Sequence, residues 1–450
     1  MKPIRAFLLS IALIAAPPIL AAEPVVALKA GRVFDSRSGL VSGPQVILVE
    51  DGKITAMAPS LPVPEGARTI DLGRYTVMPG LIESHAHLLQ EHPGDEHNTL
   101  TVTKAVALEG DALRALRGAA RGRSYLDAGY TTVRDLGNAG RFADVALKRA
   151  IGEGSVTGPR LYVSGPGLAP EGGQAPGLAP GHAAIIDGDY RIVRGVEDAR
   201  QAVRENLYYG ADLIKIYSNS SPNRTMLSLA EMKAIVEEAH LYRLRVTAHA
   251  TTDAAIARAL EAGVDAIEHA YAVSDATLKE MRRRGVYLVP TDMDFELAEK
   301  QVRKLNMPLS REKIAALAKP YHERLRRAHK AGVAIAAGSD MYMALGPARG
   351  AAAKRVLFAY REAGLGTREI LQAATIHGAR LLGEPGLGVL EAGAHADIIA
   401  VEGNPIEQLE AVERVVFVMK AGVITKENVR SGSADLPPGR QGPAGTPTPP

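Results

Sequence analysis

His85 and His87 stand two residues apart at the end of a short apolar run. Side chains alternate along an extended chain, so residues two apart face the same side, and two imidazoles so placed can grip one metal ion. Four further residues with metal-binding or acid–base chemistry occupy similar settings. Lys215 lies within Leu-Ile-Lys-Ile, His249 ends Val-Thr-Ala-His, His269 ends Ile-Glu-His and Asp340 ends Gly-Ser-Asp. Taken singly, each has a plainer reading. A lone histidine in an apolar strand is more often a satisfied core residue than a ligand. Lys215 is the exception, because an interior lysine is costly unless it is paired or neutralised. Taken together the six point to a metal site, because they fall at the ends of different predicted strands.

Those strands are predicted over 81–85, 131–135, 160–164, 213–217, 245–249, 266–269, 287–290 and 334–338, each followed by a helix or loop. Residues 231–241, 253–262 and 275–284 carry apolar stripes at helical spacing. Strands alternating with helices in this way predict an α/β fold, and eight repeats predict a (β/α)8 TIM barrel. In such barrels the active site gathers at the C-terminal strand ends, where the six residues fall. Segments 25–35, 45–58 and 69–76 read as strands broken by turns such as Glu50-Asp51-Gly52-Lys53, and 396–401 and 415–419 return to strand texture. They predict a small β-sandwich domain formed from both chain ends. The predicted division is a signal segment over 1–22, sandwich over 23–78, barrel over 79–380, sandwich over 381–430 and a Pro/Gly-rich disordered tail over 431–450.

The run Pro79-Gly80-Leu81-Ile82-Glu83-Ser84-His85-Ala86-His87 resembles the metal-binding opening of the amidohydrolase superfamily. So do Gly210-Ala211-Asp212-Leu213-Ile214-Lys215-Ile216, Val246-Thr247-Ala248-His249-Ala250, Ile267-Glu268-His269 and Gly338-Ser339-Asp340. The closing Gly386-Leu387-Gly388-Val389-Leu390-Glu391-Ala392-Gly393 resembles the same family's return strand. Each motif is weak, whereas the ordered set is specific. The nearest branch is the imidazolonepropionase-related, prolidase-like group, with its Xaa-Pro and Xaa-Arg dipeptidases and ochratoxin-cleaving amidases. The resemblance implies two divalent metal ions, usually zinc. His85, His87 and Asp340 would hold the first, His249 and His269 the second, and a carboxylated Lys215 would bridge them. A bridging water would be acidified, and Asp340 would take its proton and pass it to the leaving amine.

Around this set, Tyr217 lies two beyond Lys215 and should face the same side. In prolidase-like relatives a tyrosine here touches substrate. Arg134 could meet a substrate carboxylate, but a buried pair with an aspartate, Asp135 being adjacent, is the stronger expectation. Relatives carry Gly-Gly-His after strand three, and this chain has Gly172-Gly173-Gln174, with His182 at the loop's end as a substitute. Glutamine can hydrogen-bond but cannot act as an acid near pH 7. Thr291 and Asp292 could line the pocket, and His92 and His97 are expected in a solvated loop.

Composition removes other chemistries. The 450-residue chain has no cysteine, which excludes disulfides, thiolate zinc sites and a cysteine nucleophile. Its formal charge of +3 gives no case for nucleic acid. Lys2 and Arg5 precede an apolar run from Ala6 to Ile14, followed by Pro17-Pro18 and Leu20-Ala21-Ala22, which reads as a secretory signal cut after Ala22 and predicts a periplasmic or secreted protein. The run is too short to span a bilayer, so no membrane anchor is expected after cleavage. The expected partner is a small amide or peptide, and a homo-oligomer is left open. The expected reaction is hydrolysis of the amide bond of a dipeptide or N-acyl amino acid. Its rivals are a lactonase or cyclic-amide hydrolase on the same metals, and a noncatalytic metal-binding barrel.

Overall fold

The computed structural model describes residues 25–92, 98–137, 140–220 and 223–430. The expected signal segment and C-terminal tail lie outside these residues, as does His97.

The first strands are β1 (Val26–Asp35), β2 (Leu40–Ser42), β3 (Gln45–Glu50), β4 (Lys53–Ala58) and β5 (Arg68–Pro79). The break between β3 and β4 is the Asp51-Gly52 turn, with φ of 47° and 73°. That geometry is what an Asp-Gly hairpin turn requires. The parallel region follows with β6 (Leu81–Ala86), β7 (Tyr130–Asp135), β8 (Arg160–Val163), β9 (Gly167–Ala169), β10 (Tyr190–Ile192), β11 (Leu213–Tyr217), β12 (Arg245–Thr252), β13 (Ala266–Ala272) and β14 (Tyr287–Val289). The chain returns through β15 (Ile398–Glu402), β16 (Val415–Lys420) and β17 (Val423–Glu427).

The two chain ends meet as expected, and their strands are hydrogen-bonded into one sheet. Its order is β17-β16-β15-β5-β1-β3-β4, with β2 beside β1. The long β5 is its hinge, pairing in parallel with β1 and antiparallel with β15. Leu28, Ile47, Leu72, Ile398 and Phe417 fill the core against it.

The expected closed barrel is seen as a barrel-like α/β arrangement, with two parallel sheets, β6-β7-β8 and β10-β9-β11-β12-β13-β14, and no single closed ladder among the described residues. The strand expected over 334–338 is held only at single points. Leu288 donates to Ala334 at 2.8 Å, Ser84 to Ala337 at 2.8 Å and Asp340 to His85 at 2.8 Å. The segment thus links β14 to β6 without forming a strand of its own.

The helices outside this sheet begin and end where local chemistry dictates. Leu229–Leu241 opens on a capping box between Ser228 and Glu231. Asp253–Ala262 and Asp275–Arg284 open on Thr252 and Ser274 caps and stop at Gly263 and Gly285, both left-handed. Their inner faces (Ile235, Ile256, Leu260, Leu278) are buried against Ile214, Val246 and Ile267 of the strands. This packing holds β11, β12 and β13 in register, so that Tyr217 lies beside His249 and Ala250 beside His269. Among the described residues, no helix is long and apolar enough to cross a membrane.

Candidate metal centre and active site

The six residues expected to hold metal all line one cavity of about 320 Å³. His85 and His87, at the end of β6, bring their Nε2 atoms within 3.3 Å of each other. Asp340 reaches in from the turn after 334–338. Its Oδ1 lies 3.1 Å from His87 Nε2 and 3.5 Å from His85 Nε2, and its Oδ2 lies 4.0 Å from His269 Nδ1. The His249 and His269 rings are edge-to-face at 4.6 Å. Lys215 is buried beside them on β11, its Nζ 5.5 Å from the Tyr217 ring. The nearest approaches, 3.1 to 3.5 Å, are those among His85, His87 and Asp340, the three residues expected from sequence to share one ion. His269 joins them more loosely, since His85, His269 and Asp340 each offer a ligand atom within 4.8 Å of the others.

Burial sets the protonation of these groups. His85, His249 and His269 are held well below the ordinary imidazole range by burial, with the neighbouring cationic side chains adding to the shift. They are neutral and offer lone pairs. Burial lowers Lys215 to about 8, against the opposing pull of Glu268 and Asp340, so a neutral amine is accessible near physiological pH. For Asp340, burial pushes the carboxyl up, but His85, His87 and Lys215 outweigh it, and the group stays below its usual range. Neutral imidazoles with a carboxylate, and no thiolate anywhere in the chain, suit zinc-type divalent ions.

A second layer fixes the donors. His85 Nδ1 lies 2.6 Å from Glu268 Oε2, and Arg134 Nη2 lies 2.6 Å from Glu268 Oε1, with the Thr247 hydroxyl on the same oxygen. His87 Nδ1 faces the Gly137 carbonyl at 3.2 Å, and His269 Nδ1 faces the Thr291 hydroxyl at 2.8 Å. Glu83 Oε1 accepts from both the His85 and Ser339 N–H groups, at 3.0 and 2.7 Å, tying β6 to the Asp340 turn. Partners of this kind orient the rings and select their tautomers. Backbone strain gathers here too. His269, Ala270, Thr291 and Asp340 have φ of 70°, 52°, 59° and 50°. Such left-handed conformations cost non-glycine residues about 1–3 kcal/mol each and concentrate at functional sites.

Of the further residues singled out in the sequence, Tyr217 and Gln174 do line the cavity, and Gln174 Nε2 lies 3.4 Å from His249 Nε2. Two do not. His182 is exposed on the Pro180–His182 turn, because the loop carries Gln174 inward and ends on the surface. Arg134 is buried beneath the donors, and its partner is Glu268, not Asp135. His92, expected in solvent, lines the cavity beside Tyr342. Glu268, Tyr271 and Tyr342 escaped sequence reasoning. The first had a signal, a carboxylate inside the apolar run Ala266-Ile267-Glu268-His269.

A second chamber of about 340 Å³ adjoins the first and shares Tyr271, Asp340 and Tyr342 with it. Helices Phe295–Lys304 and Arg311–Lys330 close it with Leu297, Val302, Ile314 and Leu317, and Met341 and Met343 face them. Thr291 and Asp292 do line this chamber, with Asp292 bound to Arg324.

The model of the amidohydrolase family matches residues 76–425, which span the whole of this site. The chain belongs to the amidohydrolase family. Within it, ochratoxinase of Aspergillus niger is 31% identical over 376 residues, covering 78% of this chain and 75% of its own. Among solved structures, a Xaa-Pro dipeptidase with bound methionine superposes with a TM-score of 0.77 at 28% identity, covering 89% of this chain and all of its own. A prolidase complexed with N-methylphosphonate-L-proline gives 0.78 at 30% identity, covering 90% of this chain and all of its own. This amidohydrolase is therefore a hydrolase acting on amide bonds, with a barrel-like α/β catalytic region of the family's kind.

Proposed function

We propose that this amidohydrolase cleaves the amide bond of a dipeptide or N-acyl amino acid in which one half is bulky and apolar. The observation that carries the reading is the position of Asp340. Its carboxylate stands at the junction of the donor cavity and the apolar chamber, within 3.1 Å of His87 Nε2. A scissile amide placed there has a proton carrier on one side and an apolar seat on the other.

The donor set fits two divalent ions of the zinc type. His85, His87, His249, His269, Asp340 and a carboxylated Lys215 would hold them. When bound, such ions supply Lewis acidity to a carbonyl and lower the pKa of water. The remaining work falls to the chain. Asp340 accepts a proton at its carboxylate from the attacking water and returns it to the leaving nitrogen. Carboxylation of Lys215 joins its neutral amine to carbon dioxide and releases one proton, leaving an anionic carbamate among cations. The depressed pKa of Lys215 supports this, because only the neutral amine reacts. Tyr217, Gln174 and Tyr342 frame the polar half of the substrate, and Leu297, Val302 and Ile314 receive the apolar half and exclude water. The site of action we propose is outside the cytoplasm, on the strength of the N-terminal charged and apolar run, and N-terminal sequencing of exported protein tests it.

The function test is hydrolysis of paired N-acyl amino acids that differ only in acyl bulk, by zinc-loaded protein with bicarbonate. Release of free amino acid, faster for the bulkier acyl group, is expected. Intact amides alongside opened lactones would refute the reading. Asp340→Asn should abolish turnover while metal content, measured by mass spectrometry, stays largely unchanged.

A further inference from the structure

A third cavity, of about 380 Å³, lies at the opposite end of the parallel strands. Leu213 and Arg245, the first residues of β11 and β12, line it, whereas Tyr217 and His249 at the far end face the metal donors. Its polar walls are Arg134, Arg243, Arg245, Tyr162, Asp212 and Glu384.

The charges within it are unevenly satisfied. Arg134, in the interior, is committed to Glu268. Asp212 is committed to Lys148 at 2.8 Å and to the Val163 N–H at 2.9 Å. Glu384 is engaged by the Tyr162 hydroxyl, and its charge helps burial to push that phenol up. Arg243 and Arg245 remain, with no carboxylate within salt-bridge distance among the described residues. Gly383 keeps the place open, since a Cβ there would come within 3.3 Å of Arg245 Nε. Two uncommitted guanidiniums thus face a cavity whose two carboxylates, Asp212 and Glu384, are each engaged by a neighbour. Planar guanidinium forks match tetrahedral oxyanions with paired hydrogen bonds, and here Arg245 is half-buried while Arg243 is exposed.

We propose that this basal cavity binds a small phosphate-type oxyanion between Arg243 and Arg245, at a site separate from the metal centre. The proposal does not depend on the substrate assigned above.

The test uses the full-length, metal-loaded protein and inorganic phosphate, followed by phosphorus NMR line broadening at constant ionic strength. Saturable binding is expected in the wild type, weakened at least about tenfold in the double variant Arg243→Ala/Arg245→Ala. Arg243→Lys/Arg245→Lys should restore part of the affinity, since charge is kept and the fork lost. Unchanged amide hydrolysis in the double variant, without phosphate, shows that it is folded. Binding of equal strength in the double variant would place the anion at the metal centre and overturn the proposal. Absence of saturable binding in the wild type would overturn it too.

Discussion

Glu268 Oε2 lies 2.6 Å from His85 Nδ1, with both side chains buried, and the same carboxylate holds Arg134 on its other oxygen. One carboxylate therefore orients the ring of a proposed metal ligand and neutralises the guanidinium beneath it. Glu268→Gln keeps the shape and loses the charge. Metal affinity, followed by competition with a chelating dye, should fall roughly 10–100-fold, and added zinc should recover part of the activity. Glu268→Ala should also unfold more readily, by about 3–5 kcal/mol, because Arg134 is left buried and unpaired. Wild-type metal affinity in Glu268→Gln would show that the contact is idle.

Lys215→Ala should lose metal and activity together. If a carbamate acts at that position, short carboxylates such as propionate should enter the space left and restore part of both. A variant that is fully active without any carboxylate would rule out the bridging role.

The apolar chamber predicts a selective defect. Val302 is half-buried on the chamber wall, so Val302→Asp should fold and yet set a charge against an apolar group. The KM for bulky N-acyl substrates should rise by about tenfold or more, with little change for small acyl groups. Equal effects on both substrate sizes would detach the chamber from substrate binding.

Lys354 gives a pH signature far from the metal donors. Its Nζ donates to the Val412 carbonyl at 2.6 Å, and burial, with Lys426 adding to it, lowers its pKa from 10.5 to about 7. Between those values the unfolded chain binds the extra proton and the folded chain does not. This contribution to stability is therefore complete above the unfolded value and is lost as pH falls to about 7. Relative to Lys354→Met, the wild type should gain up to about 1.4 kcal/mol per pH unit across that window. Parallel urea-unfolding midpoints for the two proteins, from neutral pH upward, would contradict this.

Much of this was legible in the sequence, because strand ends and polar residues coincided. His85, His87, Lys215, His249, His269 and Asp340 line one cavity, a convergence the strand pattern implied. What was not legible has physical causes. Arg134 and Asp135 are adjacent in a strand, so they face opposite sides, and Asp135 accepts from the Leu88 N–H instead. The segment 334–338 reads as a strand, yet the Ser339 N–H is drawn to the Glu83 side chain and the backbone meets each neighbour only briefly. The route of the 165–181 loop, which brings Gln174 inward and leaves His182 outside, depends on tertiary packing that no local spacing records. That both chain ends share one hydrogen-bonded sheet follows from the length of β5, which pairs with β1 and with β15, and no local pattern records that pairing.

That strand has a consequence for how the molecule is made. β5 is covered by β1 on one edge almost as soon as both are synthesised, but its other edge is covered by β15, which comes from the far end of the chain. Throughout translation of the catalytic region that edge is bare, and bare edges template pairing between chains. A nascent polypeptide halted before residue 398 would carry all six residues of the proposed metal centre and still present an adhesive rim.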